Sequence, residues 1–400
     1  MLVETLFGIV TGVLFGIVTG LIPGIHVNLV SATLVSVSPV IIPVFGVLPA
    51  CCFIISMATT HSFLDVLPSV FLGAPEADTA LGVLPGHRYL LKGFGLMAVK
   101  LTIIGSMGSL ILAGLLFFPL LPLVSWGYPF VQRVMGYLLL AVAVFMIARD
   151  RKPLWALFIF LLAGALGVLV LNNDALRNPL FPMLSGLFGV ATLVVSLNES
   201  SALPEQRFLP YTDIDGRKTV QAFGSGTFSG FLTAVLPGVG AATAAVVSMQ
   251  MTRKLGDHGF MVLMGGIGTA NFVLSLVTLQ ALGKARNGAL VAVQALAESL
   301  ELGHVLVFLC AALMAGGVAA VLALRLGRGF AGFMKRVPYK KLLMAVILFI
   351  LVLTPILSGV EGVLIVVTST AVGMLPAVKK VSRTHGMGCL LVPVMVYFLL

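Results

Sequence analysis

The chain has 400 residues, 59% of them hydrophobic and only 10% charged, with a net charge of +10. Soluble domains carry roughly a quarter charged residues, so this composition excludes an ordinary soluble enzyme or binding module and points to a protein that lives in the lipid bilayer. The positive charge is no signal for nucleic acid: Lys and Arg sit in short clusters between apolar runs, with no aromatic-interleaved basic patch.

The opening stretch, "MLVETLFGIV", has no basic leader and carries Glu4, so it reads as a first membrane segment and not as a cleaved signal peptide. It continues into "GVLFGIVTGLIPG" at 12–24, where Pro23-Gly24 interrupts the apolar helix and is followed by His26, Asn28 and Ser31. An apolar run at 50–72 holds His61 and Asp65, and "FLGAPEADTALGVLPGHRYLLKG" at 71–93 places Glu76 and Asp78 just after it. Apolar segments at 95–118, 131–148, 154–171 and 184–197 follow. The polar stretch "NESSALPEQRFLPYTDIDGRK", 198–218, is the longest connection and is too short for a soluble domain.

The breaker then returns. Residues 226–238, "GTFSGFLTAVLPG", repeat the Gly-x-x-x-Gly-x-x-Thr-x-x-x-Pro-Gly pattern of 12–24, and Gly238, Gly240 and Thr243 stand at or after the break. The run 260–282 matches 50–72 and carries Thr269 and Asn271. "ALGKARNGALVAV" at 281–293 has Lys284, Arg286 and Asn287 where the first copy has its acidic pair. Segments 303–324, 342–358, 362–378 and 388–400 pair in order with the rest. A pattern that recurs at about half the chain length signals internal duplication. Each copy holds one Pro-Gly unit, a broken helix or hairpin, plus about five transmembrane helices at about 20 apolar residues each. The odd number makes the second copy enter from the opposite side. The expected fold is an all-α polytopic membrane protein of two inverted-topology repeats, 1–198 and 219–400, joined by a cytoplasmic linker, 199–218. Most of the 24 Lys and Arg, including Arg149–Lys152, Arg325–Lys341 and Lys379–Arg383, then face the cytoplasm, with both termini outside. Lys284 and Arg286 fall on the outer side, as do Trp126 and Tyr128. The four cysteines lie in apolar runs without metal-ligand or disulfide spacing and read as small buried hydrophobes.

An unpaired backbone group in hydrocarbon costs several kcal/mol, so a broken helix belongs where protein or a wet cavity covers it. Two breaks at matching places in inverted halves mark a transporter's binding site, and the amides freed at each break suit an anion. The alternative is that each Pro-Gly ends a helix in an extramembrane turn. Expected substrate contacts are Gly24, His26, Asn28, Ser31, Gly238, Gly240, Thr243 and Asn271. Expected ion-coupling or second-site residues are Asp65, His61, Glu76, Asp78, Lys284, Arg286 and Asn287, since ionisable groups at membrane depth are functional candidates. The alternatives are solvated charges at helix ends for Glu76, Asp78, Lys284 and Arg286, and a structural pair for His61 with Asp65.

These residues resemble the large permease subunit of the tripartite tricarboxylate transporter family. The resemblance covers nearly the whole chain and is densest at "GLIPGIHVN", "AVLPGVGAATAA", "GAPEADTALGVLPGHRYLLKGFG" and "GGIGTANFVLSLVTLQALG". His26 stands where the family has a small residue, "LGKARNG" where it has a Gly-x-Pro-Gly, and the length is closer to a compact, archaeal-type branch. The resemblance implies a multi-pass plasma-membrane permease that takes up a small organic carboxylate, tricarboxylate- or dicarboxylate-like, on a Na⁺ or H⁺ gradient. It also implies a small membrane subunit and an extracytoplasmic binding protein as partners.

Rival functions are an intramembrane enzyme and a channel or scaffold in the membrane. An aspartyl protease needs paired aspartates, but the counterpart of Asp65 is Ser275. The six histidines are scattered, no His-Glu-x-x-His occurs, and no P-loop is present. The chain is therefore read as a transporter, not an enzyme, with no catalytic residues, metal site or cofactor beyond the coupling ion and no nucleic-acid partner.

Overall fold

The computed structural model describes residues 2–22, 27–72, 83–173, 176, 179–198, 206–207, 215–236, 241, 244–245, 248, 255–297, 300–334 and 338–399. Every regular element among them is helical. The first half runs α1 (Leu2–Leu21), α2 (Val27–Ser36), α3 (Ser38–Phe45), α4 (Val47–Leu64), α5 (Val66–Leu72), α6 (Val83–Leu91), α7 (Gly95–Ala148), α8 (Pro153–Leu171), α9 (Leu180–Leu184), a π-helical turn (Ser185–Val190) and α10 (Ala191–Asn198). The second runs α11 (Gly216–Val235), α12 (Gly256–Leu282), α13 (Gly288–Leu296), α14 (Leu302–Met334), α15 (Tyr339–Lys379), a 3-10 turn (Arg383–Met387) and α16 (Gly388–Leu399). Seven helices among the described residues are long and apolar enough to cross a membrane. The protein is a multi-pass membrane protein. Large apolar side chains such as Leu115, Phe158, Leu169, Ile356 and Leu364 point outward, as lipid-facing residues do.

Two elements form the centre. In the most apolar stretches of Val47–Leu72 and of α12, 78% and 89% of residues are buried, against 28–44% in the other five. Because lipid is as apolar as Leu, helices in a bilayer associate through close backbone approach at small residues. Gly8, Gly12 and Gly16 of α1 supply this against α4: a Cβ at Gly8 or Gly12 would stand 2.4 Å from the carbonyl oxygen of Pro49 or Phe53. Gly226 and Gly230 of α11 lie the same way on Leu263–Gly266 and Ala270 of α12.

Further contacts join the halves. Ser106 of α7 donates to the Gly265 carbonyl of α12 at 3.0 Å, and Gly316 of α14 packs on Phe63 of α4 and Leu110 of α7. Gly167 of α8 abuts the Cys389 backbone of α16, while Gly373 of α15 abuts the Leu187 backbone of the π-helical turn. The central helix, the penultimate segment and the last segment of each half thus find their partners in the other half.

One pair of expected spans meets at a kink and another is continuous. The expected spans 342–358 and 362–378 are two helices, together labelled α15, that meet at Gly359, whose φ of 75° and ψ of 179° are not helical. α7 joins 95–118 to 131–148 through Pro119, Pro122 and Pro129. A straight helix of its 54 residues would separate its ends by about 80 Å. Yet Gly95 follows α6, whose His87 senses the charge of Arg383, and Ala148 leads into Asp150, bonded to His385 and Ser382. The two ends therefore share one end of the bundle and α7 is bent, with the three prolines as the cause.

That end is rich in polar ties. His385 Nε2 meets Asp150 Oδ2 at 2.9 Å, both side chains being buried. Burial alone would push the Asp150 carboxyl up, but bonds from the Ser382 and Lys152 amides and from His385 hold it below the usual range. Lys379 Nζ lies 4.1 Å from the centre of the Trp155 ring. Arg88 faces Asp257 at 4.0 Å, and Tyr89 Oη meets His258 Nδ1 at 3.0 Å. α11 opens at Gly216, capped by Asp215 and inside the expected 199–218 connection. Buried Gln206 from the same connection accepts from Gly95 N and donates to Leu90 O, each at 2.9 Å.

His87, in α6 outside the seven candidate spans, is buried; burial and the nearby Arg383 push its imidazole down to about 4, against a bond to the Val70 backbone. The unfolded chain, with an ordinary value of about 6.5, then takes up a proton first as the pH falls. Stability is fully present above pH ~6.5 and is lost progressively down to about pH 4. Melting in detergent is expected to show a loss of about 2 kcal/mol from this group at pH 5 relative to pH 7.5, and His87→Gln to remove that part of the slope. An unchanged slope in the variant would contradict a neutral buried His87.

Candidate functional site

The break residues Gly24, His26, Gly238, Gly240 and Thr243 lie outside the described residues, as do Glu76 and Asp78. The arms that lead into the breaks are described, and they fix where those arms end. Gly20 sits against His61 and Leu64 of α4, so the first arm finishes beside the polar end of α4. His61 and Asp65 are both buried there. The Asp65 amide donates to the His61 carbonyl at 3.0 Å, and its own carbonyl accepts from Ser69. In the second half Gly230 sits against Ala270 and Asn271, and the next turn of α11 carries the chain toward Ser275, whose hydroxyl donates to the Asn271 carbonyl at 2.7 Å. Ala234 on that turn is fully buried.

These two places are neighbours. Ser62 Oγ of α4 lies 3.4 Å from Thr269 Oγ1 of α12. Thr269 is the middle residue of α12, and Ser62 lies between His61 and Asp65, so both arms end within about two helical turns of one crossing. Other hydroxyls at this level mostly bond their own helices: Thr59 to Ile55 at 2.9 Å, Thr278 to Ser275 at 2.8 Å. Ser56 and Thr60 are fully buried with no hydrogen-bond partner for their oxygens among the described residues. In the repeat register Thr269 and Asn271 align with the His61 region; the structure brings Thr269 against Ser62 itself, which nothing in "TTHSFLD" marks out.

A second constellation gathers at the start of α13. Asn287 caps this helix, its Oδ1 accepting from Leu290 N at 2.9 Å. Gln294, one turn from the end of α13, donates to Gly283 O at 2.8 Å and accepts from Ala285 N at 3.3 Å. The connection thus runs back along α13 before entering it. Arg286 donates to the hydroxyl of Tyr128, and the Arg286 and Lys284 cations stand 5.1 and 5.6 Å from the centre of the Tyr128 ring. Asn28, at the start of α2, lies on Gly288, where a Cβ would come 2.5 Å from its Cγ. Ser31, one turn further, is fully buried. Asn28 and Asn287, assigned to separate groups from sequence, are therefore adjacent. Tyr128, read as an interfacial aromatic, belongs to the same cluster; nothing in its neighbourhood in the sequence distinguishes it from Trp126.

The sequence matches the tripartite tricarboxylate transporter TctA family over residues 6–388. It is 26% identical over 375 residues to an uncharacterized protein of Methanocaldococcus jannaschii, with 92% of this chain and 93% of that protein covered. No solved structure matches it. A match that runs almost from end to end, on a bundle of apolar helices, makes the assignment plain: the chain belongs to the tripartite tricarboxylate transporter TctA family.

Proposed function

We propose that the protein is a secondary transporter of a small organic carboxylate, of the tricarboxylate or dicarboxylate class, driven by a Na⁺ or H⁺ gradient across the plasma membrane. The observation that carries this reading is the convergence of both interrupted arms on the Ser62–Thr269 crossing of α4 and α12. Backbone amides beyond each break, with Asn28, Ser31, Thr243 and Asn271, hold the anion, and Asp65 with His61 takes the coupling ion. A carboxylate at such depth is costly unless it binds a cation or a proton.

The halves 1–198 and 219–400 are inverted repeats in this reading. Its support is the pairing of equivalent contacts, α1 on α4 and α11 on α12, α7 on α12 and α14 on α4, α8 on α16 and α15 on the π-helical turn. Charge agrees: Arg149–Lys152 meets Lys379–Arg383, and Arg88 meets Asp257, at the end assigned to the cytoplasm, while Tyr128 meets Lys284 and Arg286 at the other. A small membrane subunit and an extracytoplasmic binding protein are the partners this family reading implies.

The test is uptake of radiolabelled citrate and succinate into proteoliposomes with and without an imposed Na⁺ or pH gradient. Gly24→Val and Gly238→Val, which add bulk where backbone must meet the anion, are each expected to lower uptake more than about tenfold while the protein still inserts. Wild-type uptake by both variants would remove the breaks from the site. Flux that ignores every gradient would favour a channel.

A further inference from the structure

The starts of two helices from different halves meet at Asn28 and Gly288. α2 begins one residue before Asn28, and α13 begins at Gly288. Each helix end carries about half a positive charge on its unsatisfied amides. Arg286 and Lys284 add two full charges just before α13, and both stand over the single Tyr128 ring. No ion pair joins either cation to a carboxylate of the described residues. Arg286 Nε is buried with no hydrogen-bond partner among the described residues, although another of its nitrogens reaches the Tyr128 hydroxyl. Ser31 Oγ, fully buried and one turn from Asn28 on the same side of α2, also has none. Lys284 is exposed while Arg286 Nε is buried, and a buried donor without an acceptor costs more than a made bond returns. A fold that keeps all of these together carries a strong local demand for an anion.

The sequence sharpens the point. The first repeat places Glu76 and Asp78 after its central helix, and the second places Lys284 and Arg286. The sequence pattern recurs but the charge at this place is opposite, so an anion has one preferred end. Between the two cations, Arg is the one whose planar fork can bind a carboxylate through two parallel bonds.

We propose that the junction of the α2 and α13 N-terminal ends is a carboxylate-recognition subsite, with Arg286 as its specificity-determining residue, Lys284 adding charge and Tyr128 fixing the guanidinium plane. It takes one carboxylate of a di- or tricarboxylate; the identity of this ligand rests on the transport reading above. Phosphate shares the charge but not the extended polyacid, so the test must separate them.

The full-length protein in nanodiscs is treated with phenylglyoxal and modification of Arg286 is read by mass spectrometry. Citrate and succinate are expected to slow that modification at least about fivefold, and phosphate at equal ionic strength is not. Arg286→Gln is expected to weaken citrate binding by calorimetry roughly tenfold to a hundredfold, and Arg286→Lys, which keeps the charge and the contact with Tyr128, less. The proposal is overturned if Arg286 does not react, if citrate leaves its reaction unchanged, if phosphate protects as well as citrate, or if Arg286→Gln binds citrate normally. The wild-type labelling arm needs no variant to fold. Protection of Arg286 without uptake in proteoliposomes would sink transport and leave the subsite; normal uptake with an unprotected Arg286 would do the reverse.

Discussion

Gly105→Ala is expected to prevent the bundle from assembling, while Gly114→Ala, further along the same helix, leaves it intact. The added atom is the same methyl in each case. At Gly105 it would stand 1.8 Å from the Val262 carbonyl oxygen, on the backbone of the most buried helix in the protein; at Gly114 nothing lies within 4 Å. A flexible side chain could turn aside, but a helix backbone can yield only by moving α7 off α12, and α12 also supports α11. Overpacking of this kind costs about 3 kcal/mol or more. The intrinsic preference for Ala over Gly in a helix, about 1 kcal/mol, acts alone at Gly114 and gives a slight gain. Size-exclusion profiles and melting in detergent measure both. Equal behaviour of the two variants would mean that α7 and α12 do not approach as described.

Asp65→Asn is expected to abolish gradient-driven accumulation of substrate, by more than tenfold, while exchange of labelled for unlabelled substrate persists. The side chain is buried at the end of α4, beside the place where the first arm ends and one turn from the α4–α12 crossing. Asparagine keeps its shape but can neither carry a proton nor neutralise a metal ion. Substrate contacts, assigned to the amides beyond the breaks, remain. Counterflow against net uptake, in one preparation of proteoliposomes, separates the two activities. Retained accumulation by the variant would move coupling elsewhere, and equal loss of exchange and accumulation would make Asp65 a substrate or folding residue.

Much of the scaffold was readable because its causes are local. Gly12, Gly16, Gly226 and Gly230 announce close helix contacts by spacing alone, and the structure sets them on α4 and α12. Buried polar residues within apolar runs marked the two central helices. What stayed hidden depends on partners distant in sequence. Gly167 and Gly373 look like any other membrane glycines, and only the fold reveals Cys389 and Leu187 against them. Hydropathy divides 95–148 into two spans, yet the helix passes through Pro119, Pro122 and Pro129 and bends, because each proline removes one hydrogen bond without ending the path. Asn28 beside Gly288 is of the same kind: either residue was visible, their meeting was not. Arg286 was noticed for its charge, but its grip on Tyr128 joins the middle of α7 to the start of α13 and has no trace in spacing.

The crossed seating of the last segments has a consequence for how the chain is made. α8 and the π-helical turn leave the ribosome and enter the bilayer while α15 and α16 are still untranslated. Until then the flat strips at Gly164–Gly167 and Gly186, shaped to take the α16 backbone and Ser369, have only lipid tails beside them. The first half therefore inserts with seams that only segments of the second half can close. A chain cut short before Gly388 would lack the Val392 side chain and Cys389 backbone that fill Gly164 and Gly167, and that face of α8 would stay open to lipid.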